Sequence, residues 1–274
     1  MCFSDILYFM RLLPLQSLSV VAVPAFKDNY LWLIHNGRDA IVIDPGDASI
    51  IVRELEKNHL KLCAILLTHH HNDHTGGVIE LYKRYQCPVY GPPNEGIAGI
   101  TKYVSEDDHI VIDALDLNFV VIDVPGHTLG HIAFYAEKYR YLFCGDSLFT
   151  GGCGRLFEGT PKQMYESLNK LSRLPDDTKV YCAHEYTLDN LTFALHIDPS
   201  NTALIKRMHI EKIKRAHKLP TIPSNIKLEK LSNPFLRTNC LKIISHLLVT
   251  QRIKQAASPV EIFAAIRNWK NHFK

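Results

Sequence analysis

Paired cysteines are the first feature that this sequence lacks. The chain has seven cysteines in 274 residues, an odd number, and none of them forms a C-x-x-C pair. Scattered and unpaired cysteines argue against a disulfide framework and against a zinc ribbon. We therefore interpret the cysteines as small buried apolar residues of a protein that works in a reducing, cytoplasmic compartment.

A long hydrophobic run is also missing. The most apolar stretch, residues 6–16, is interrupted by Arg11 and Pro14, and it is well short of the roughly 20 residues that a membrane span needs. The residues before it include Asp5 but no Lys or Arg, whereas a secretory signal begins with positive charge. We expect residues 1–16 to be an N-terminal extension, with a signal or anchor as the alternative, and we expect no membrane partner.

Excess charge of either sign is small. Lys and Arg number 31 and Asp and Glu 28, which gives a net charge of +3. A nucleic-acid-binding surface normally needs a larger basic excess, so no nucleic-acid partner is expected. The hydrophobic fraction of 46% is ordinary for a globular protein, and we expect a monomer.

The order of secondary structure indicates two domains. Short β-rich runs alternate with turns and helices as far as about residue 187, and helical periodicity with many Lys and Arg residues follows. We therefore predict a catalytic domain over 17–187 and a helical C-terminal domain over 188–274. The predicted strands are 17–24, 30–35, 39–44, 63–68, 88–90, 117–124, 132–135, 141–144 and 180–183, and the predicted helices are 48–60, 76–85, 161–174, 202–218 and 260–273.

Metal-ligand residues are concentrated directly after one apolar strand. Strand 63–68 leads into His69-x-His71-x-Asp73-His74. Imidazole and carboxylate groups are the ligands expected for zinc, iron or manganese. Buried polar groups this dense need partners, so the cluster predicts a metal site.

Three further ligand-type residues follow other predicted strands. His127 comes after strand 117–124, Asp146 after strand 141–144 and His184 after strand 180–183. A sheet that gathers its strand ends at one edge brings these side chains to the first cluster. The combined set is large enough for two metal ions: His69, His71 and His127 on one, Asp73, His74 and His184 on the other, and Asp146 as the bridge. The metal-bound hydroxide then serves as nucleophile, with Asp73 as a candidate proton acceptor.

Other polar residues near these motifs are given lesser roles. We interpret His70 and His131 as supporting or packing residues. Asp44 also follows a strand, where it either orients a ligand histidine or caps a turn. The remaining histidines are interpreted as ordinary packed or surface residues.

With these residues, the sequence resembles the metallo-β-lactamase superfamily and, within it, the glyoxalase II family. The resemblance begins near residue 18 and rests on the T-H-x-H-x-D-H motif of residues 68–74 together with His127, Asp146 and His184. Supporting segments are Asp28-Asn29-Tyr30, Asp44-Pro45-Gly46, Pro125-Gly126-His127-Thr128, Gly145-Asp146-Ser147-Leu148-Phe149, Gly152-Cys153-Gly154-Arg155 and Ala183-His184-Glu185-Tyr186-Thr187. One departure is Phe157, which stands where some members have a tyrosine.

The resemblance implies both a fold and a reaction. The fold class is α+β, a four-layer αββα sandwich with a small helical C-terminal domain. The reaction is hydrolysis of S-D-lactoylglutathione to D-lactate and glutathione, the second step of methylglyoxal detoxification. By position, Arg155, Tyr186, Arg267 and Lys270 resemble the residues that contact glutathione. The cofactors expected are two divalent metal ions, zinc first, with iron and manganese as alternatives.

Several rival functions remain at this point. A mononuclear-iron persulfide dioxygenase shares the superfamily, but the full ligand set and the basic pair of Arg267 and Lys270 argue against it. A lactonase or β-lactamase leaves the C-terminal helices without a role. A metal-binding structural module is the non-enzyme alternative, and it predicts no hydrolysis of any thioester.

Overall fold

The computed structural model describes residues 18–273, so the N-terminal extension expected over residues 1–16 lies outside the described residues. Two six-stranded sheets form the centre of the molecule. The strands are β1 Ser19–Ala25, β2 Asn29–His35, β3 Asp39–Ile43, β4 Lys61–Leu66, β5 Val89–Gly91, β6 Lys102–Tyr103, β7 His109–Ile112, β8 Leu117–Asp123, β9 Ile132–Ala136, β10 Tyr141–Gly145, β11 Leu148–Phe149, β12 Gly152–Cys153, β13 Lys179–Cys182 and β14 Ser224–Asn225.

Helices cover the outer faces of the sheets. They are α1 Ala48–Lys57, α2 Asn72–Thr75, α3 Val78–Tyr85, α4 Pro161–Ser172, α5 Thr187–Ile197, α6 Thr202–Ala216, α7 Ile226–Ser232, α8 Leu241–Val249 and α9 Pro259–His272. The first sheet has the order β1-β2-β3-β4-β5-β6 and the second has the order β14-β13-β10-β9-β8-β7. This confirms the predicted αββα sandwich with helices at the C-terminal end.

Alternation along the strands explains how the layers pack. In β2, Trp32 and Ile34 enter the core between the sheets, whereas Leu31 and Leu33 pack against the helices on the other face. Successive side chains of a strand point to opposite faces, so a strand covered on both sides must be apolar throughout. This is why several of the predicted strands are continuous hydrophobic runs.

The sheets are oriented so that several strand ends meet. Strands β3 and β4 are parallel in the first sheet, and β10 and β13 are parallel in the second. The amide of Ile132 donates to the Thr68 carbonyl at 3.0 Å, and Asn29 forms an isolated bridge with His184. These links between the sheets hold the loops after β4, β8, β10 and β13 against one another.

The boundary expected near residue 187 is crossed by the second sheet. The prediction that strands end there is wrong, because β14 pairs antiparallel with β13 through Ser224 and Asn225. This strand is only two residues long, which is too short to show a periodicity. Strands β6 and β7, the hairpin β11–β12 and helices α2, α5, α7 and α8 were likewise not predicted. No helix within residues 18–273 combines the length and apolar character that a membrane crossing requires.

Candidate metal centre

The ligand-rich loop after β4 is held in a tight crossing with the turn after β3. His69 and His74 are almost fully buried, and Asn72–Thr75 forms the short helix α2. A Cβ atom on Gly46 would lie 1.9 Å from the Asp73 carbonyl oxygen. Only glycine fits this approach of two backbones, so the Pro45-Gly46 turn fixes the position of the loop.

The other three side chains approach from the second sheet. His127 follows Gly126, whose φ of +152° is unfavourable for other residues. Asp146 follows Gly145, where an added Cβ would lie 2.4 Å from the Thr68 hydroxyl. His184 follows β13 and is 5% exposed. The structure therefore brings together all seven residues predicted as ligands.

The ligand atoms fall into two groups. In the first, Nε2 of His69 and Nε2 of His127 each lie 3.0 Å from Nδ1 of His71. In the second, Oδ2 of Asp73 lies 3.5 Å from Nε2 of His74 and 3.5 Å from Nε2 of His184. Each group can surround one ion with three protein ligands, since the ligand atoms of each lie within 4.8 Å of one another.

Asp146 lies between the two groups. Its Oδ2 is 3.4 Å from Nε2 of His127, and its Oδ1 is 3.5 Å from Nε2 of His74 and 3.4 Å from Nε2 of His184. The two oxygens of this carboxylate therefore face different groups. An aspartate in this position can bind two ions at once.

Hydrogen bonds behind the rings orient four of the histidines. Nδ1 of His74 donates to Asp44 at 3.0 Å, and Nδ1 of His184 donates to Asp28 at 2.8 Å. Nδ1 of His127 donates to the Arg155 carbonyl at 2.7 Å. Nδ1 of His69 donates to the Thr68 hydroxyl at 3.0 Å, which itself donates to Asp44. Each of these bonds places the proton on Nδ1 and leaves the Nε2 lone pair facing the centre.

The residues fit a pair of cations. Several lone pairs converge within hydrogen-bond distance and would repel one another without a positive charge between them. Among the described residues, Nε2 of His74 and Oδ1 of Asp146 are buried and have no hydrogen-bond partner. Unpaired buried polar atoms are rare in folded proteins, and divalent metal ions would satisfy both.

The protonation equilibria agree with this interpretation. Burial lowers the pKa of His69 well below its usual value, which keeps the ring neutral and able to bind a cation. Burial also lowers the pKa of His184, but the Asp146 and Asp28 carboxylates outweigh it and raise the pKa to about 9. Burial opposes ionisation of Asp146, but His184 and His74 hold the pKa of this carboxyl far below its usual range. The second group therefore attracts positive charge.

Three residues that support the ligands were not given a role by the sequence. Asp28 fixes His184, and Asn29 donates to Asp73 at 2.8 Å; both lie in a segment that only the family resemblance had marked. Glu95 accepts from the backbone amides of His70 at 2.9 Å and Gly130 at 2.6 Å. Its buried carboxylate thus joins the two loops that carry the first ligand group.

The supporting roles predicted for nearby polar residues agree with the contacts. His131 is fully buried, stacks on His69 with ring centroids 4.6 Å apart, and accepts from the Asp146 amide. Asp44 accepts a hydrogen bond from the ligand His74, which agrees with the first of the two roles predicted for it, orienting a ligand histidine. Phe157 packs edge-on against His71 and His127.

The four residues predicted to bind substrate differ in burial and in the contacts that they make. Tyr186 stacks on His184 with ring centroids 4.8 Å apart, and the Arg155 side chain is exposed. Arg267 is buried and donates to the Cys153 carbonyl at 2.8 Å. Lys270 donates to the Asp189 carbonyl at 3.1 Å, and burial together with Arg267 lowers its pKa. Arg267 and Lys270 therefore occupy the same side of α9.

Comparisons with known proteins agree with this site. Residues 27–184 match the sequence profile of the metallo-beta-lactamase superfamily, and residues 185–273 match the profile named hydroxyacylglutathione hydrolase C-terminus. A solved structure described as TTHA1623 in a di-iron-bound form is similar with a TM-score of 0.56 and 26% identity, covering 80% of this chain and 100% of that one. The fold and the site thus define a member of the metallo-β-lactamase superfamily.

Two close relatives narrow this assignment. The hydroxyacylglutathione hydrolase of Nitrosomonas europaea is 49% identical over 94% of this chain and 97% of the relative. The enzyme of the same name from Shewanella halifaxensis is 48% identical over 93% of this chain and 100% of the relative. The chain belongs to the hydroxyacylglutathione hydrolase family, and the predictions of family and of a hydrolase are confirmed.

Proposed function

We propose that this protein hydrolyses S-(2-hydroxyacyl)glutathione thioesters, with S-D-lactoylglutathione as the substrate and D-lactate and glutathione as products. The observation that carries the proposal is the pair of ligand groups joined by Asp146. The relatives that align over more than 90% of this chain are named hydroxyacylglutathione hydrolase, after this reaction. As the family resemblance implies, this reaction would be the second step of methylglyoxal detoxification.

The proposed ligand assignment follows the two groups. His69, His71 and His127 would hold one divalent ion, Asp73, His74 and His184 the other, and Asp146 both. Zinc is the first choice, with iron and manganese as alternatives, since all three accept imidazole and carboxylate. When bound, the ions would act as Lewis acids and lower the pKa of water at the centre toward neutrality.

The side chains around the centre would each have a limited role. Burial raises the pKa of Asp73, but His74 and Asn29 outweigh it and keep the carboxylate ionised. Its side chain is 40% exposed, so it can accept a proton from water at the open side of the site. A thiolate leaving group needs little acid assistance, because a thiol has a pKa of only about 8.5.

Substrate recognition would use the basic and aromatic side chains nearby. Glutathione ends in a glycine carboxylate, which Arg267 and Lys270 can pair with on one side of α9. Arg155 is exposed beside His127, where its charge can attract the anionic substrate. Tyr186 offers a ring and a hydroxyl next to His184.

The test combines hydrolysis with metal analysis. Purified protein should consume the thioester absorbance of S-D-lactoylglutathione and contain two metal ions per chain. Asp146→Ala should lose activity by at least about a thousandfold and also lose metal, since the bridge is removed. The matched control is Asp176→Ala, which removes an exposed carboxylate that pairs with Lys230 and is not one of the proposed ligands.

Two results would contradict the proposal. Two bound ions with near-normal turnover in Asp146→Ala would refute the assigned bridge. Oxygen consumption with glutathione persulfide, without thioester hydrolysis, would favour a dioxygenase instead. We also propose that the enzyme is cytoplasmic, since the six cysteines in the described part of the chain are free thiols. We further propose that it is a monomer, which light scattering tests.

A further inference from the structure

A cavity of about 530 Å³ lies beside the metal centre. It is bounded by the turn between β1 and β2, the start of α5 and the end of α6. Asp28 and Asn29, which hold the ligands His184 and Asp73, form part of its wall. The seven proposed ligands do not line it. Its volume lies within the roughly 300–1,000 Å³ typical of small-molecule sites.

Basic side chains on one part of the wall favour an anion. Arg215 already has partners, since it lies 3.7 Å from Glu185 and donates to the Leu219 carbonyl at 2.9 Å. Lys27 and Lys218 also line the cavity, and within residues 18–273 no carboxylate lies within ion-pair distance of either. Two uncompensated ammonium groups facing one cavity attract a carboxylate or similar group.

The acidic side chains of the cavity are not equivalent. Glu185 accepts from the Tyr30 hydroxyl at 2.9 Å and from the Thr221 amide at 2.9 Å. Asp28 accepts from His184. Asp189 is exposed and, in the part of the chain that the structure describes, has no ion-pair partner. The cavity therefore presents separate sites for a positive and a negative charge.

We propose that this cavity binds the γ-glutamyl end of the glutathione thioester. That end carries an α-carboxylate, which Lys27 and Lys218 would bind, and an α-ammonium, which Asp189 would bind. The inference rests on the proposed function. A lactoyl group is uncharged and much smaller than the cavity, so the acyl part of the substrate does not explain these charges.

The position of the cavity relative to Lys270 agrees with this assignment. The Asp189 carbonyl accepts from Lys270 at 3.1 Å, while the Asp189 residue also lines the cavity. The cavity proposed for the γ-glutamyl end is therefore adjacent to Arg267 and Lys270, the basic pair assigned to the glycine carboxylate of glutathione. A tripeptide held at both ends in this way would present its central thioester between them, next to His184.

The test compares two substrates that differ only at this end. S-D-lactoylglutathione carries the γ-glutamyl group, and the S-D-lactoyl thioester of N-acetyl-cysteinylglycine replaces it with acetyl, which also prevents acyl migration to the amine. The measured quantity is kcat/KM for S-D-lactoylglutathione divided by kcat/KM for the N-acetyl analogue. This ratio should fall about tenfold in the Lys27→Ala/Lys218→Ala variant. The change should come mainly from KM. Asp189→Asn should lower the same ratio by about threefold.

A matched lysine provides the control. Lys212 is exposed on α6 but does not line the cavity, so Lys212→Ala should leave the ratio unchanged. An unchanged ratio in the double variant, or an equal loss with both substrates, would overturn the γ-glutamyl assignment while leaving the hydrolase proposal intact. If the unaltered protein hydrolysed neither thioester, the hydrolase proposal itself would fail, and the inference with it.

Discussion

At the scale of single residues, Asp44 supports the metal centre without being a ligand. Its buried carboxylate accepts from the Thr68 amide at 2.8 Å, from the Thr68 hydroxyl at 2.7 Å and from Nδ1 of His74 at 3.0 Å. Through Thr68 it also orients His69. One side chain thus fixes a ligand of each group.

Asp44→Ala should weaken metal binding by about 10- to 100-fold, the usual effect of losing a residue that orients a ligand. Competition with a chelator measures the change. Asp116→Ala is a closely matched control, because Asp116 also has a φ of +51° but is exposed and pairs with Lys138. The backbone strain is then the same in both variants. Equal metal affinities in the two variants would contradict the orienting role.

The ligands could be predicted from the sequence, but Glu95 could not. Residues such as His127 and Asp146 combine a ligand-type side chain with a position just after an apolar strand. Glu95 lies in a short 3₁₀ helix and acts on His70, 25 residues earlier. Its role depends on two backbone amides that the fold brings together. No local pattern in the sequence marks such a residue.

At the scale of elements, the start of α1 is linked to the ligand loop. Asp47 caps this helix by accepting from the amides of Ser49 and Ile50. The Gly77 amide donates to the Pro45 carbonyl at 2.9 Å in the turn just before the cap. The beginning of α1 therefore supports the same turn that packs against Asp73.

Asp47→Ala should lower the free energy of unfolding by about 1 kcal/mol at neutral pH, as measured by urea denaturation of the metal-free protein. The hydrogen bond from Ser49 lowers the pKa of Asp47 in the folded state. A lowered folded pKa stabilises the protein above the unfolded pKa, and this effect is lost as the pH falls through the folded value. The advantage of the parent protein over Asp47→Asn should therefore be full at neutral pH, begin to decrease near the unfolded pKa of about 4, and disappear only below the lowered folded pKa. A difference independent of pH would show that charge at the cap does not contribute.

Short length explains several of the elements that the sequence did not reveal. Strands such as β2 and β8 are seven residues long and apolar enough to be found. The strands of the β11–β12 hairpin have two residues each, and their sequence contains no alternation. Helix α5 begins at Thr187, which belongs to the His184 segment, and that segment was interpreted only as a ligand motif and not as the start of a helix. Periodicity needs several residues to be visible, whereas a two-residue pairing is fixed by tertiary contacts.

At the scale of the whole molecule, the C-terminal helices are joined to the sandwich by a buried ionic network. Arg207 and Glu229 are almost fully buried and paired with each other. Glu229 also accepts from the Gly151 amide at 2.9 Å, in the turn of the β11–β12 hairpin. The Lys- and Arg-rich composition after residue 187 gave no sign that Arg207 would be buried. Which charged residues become buried depends on packing, not on composition.

This network predicts that the two parts of the molecule unfold together. Detaching the C-terminal helices would break the hydrogen bond between the Gly151 amide and the buried Glu229 carboxylate, and a hydrogen bond to a charged group contributes about 1.5–3 kcal/mol. The chain has two tryptophans, Trp32 in β2 and Trp269 in α9, one in each part. In Trp32→Phe and in Trp269→Phe, the remaining tryptophan should report a urea transition that coincides with the loss of far-ultraviolet circular dichroism.

Glu229→Ala should separate these transitions. In the Trp32→Phe background, the fluorescence of Trp269 should then change at a lower urea concentration than the circular dichroism, because the helices have lost their buried link to Gly151. Lys230→Ala is the control, since its exposed pair with Asp176 connects the same parts of the chain and contributes little. Separate transitions already in the parent tryptophan variants would mean that the C-terminal helices are an independent unit, as the change in sequence pattern near residue 187 first suggested.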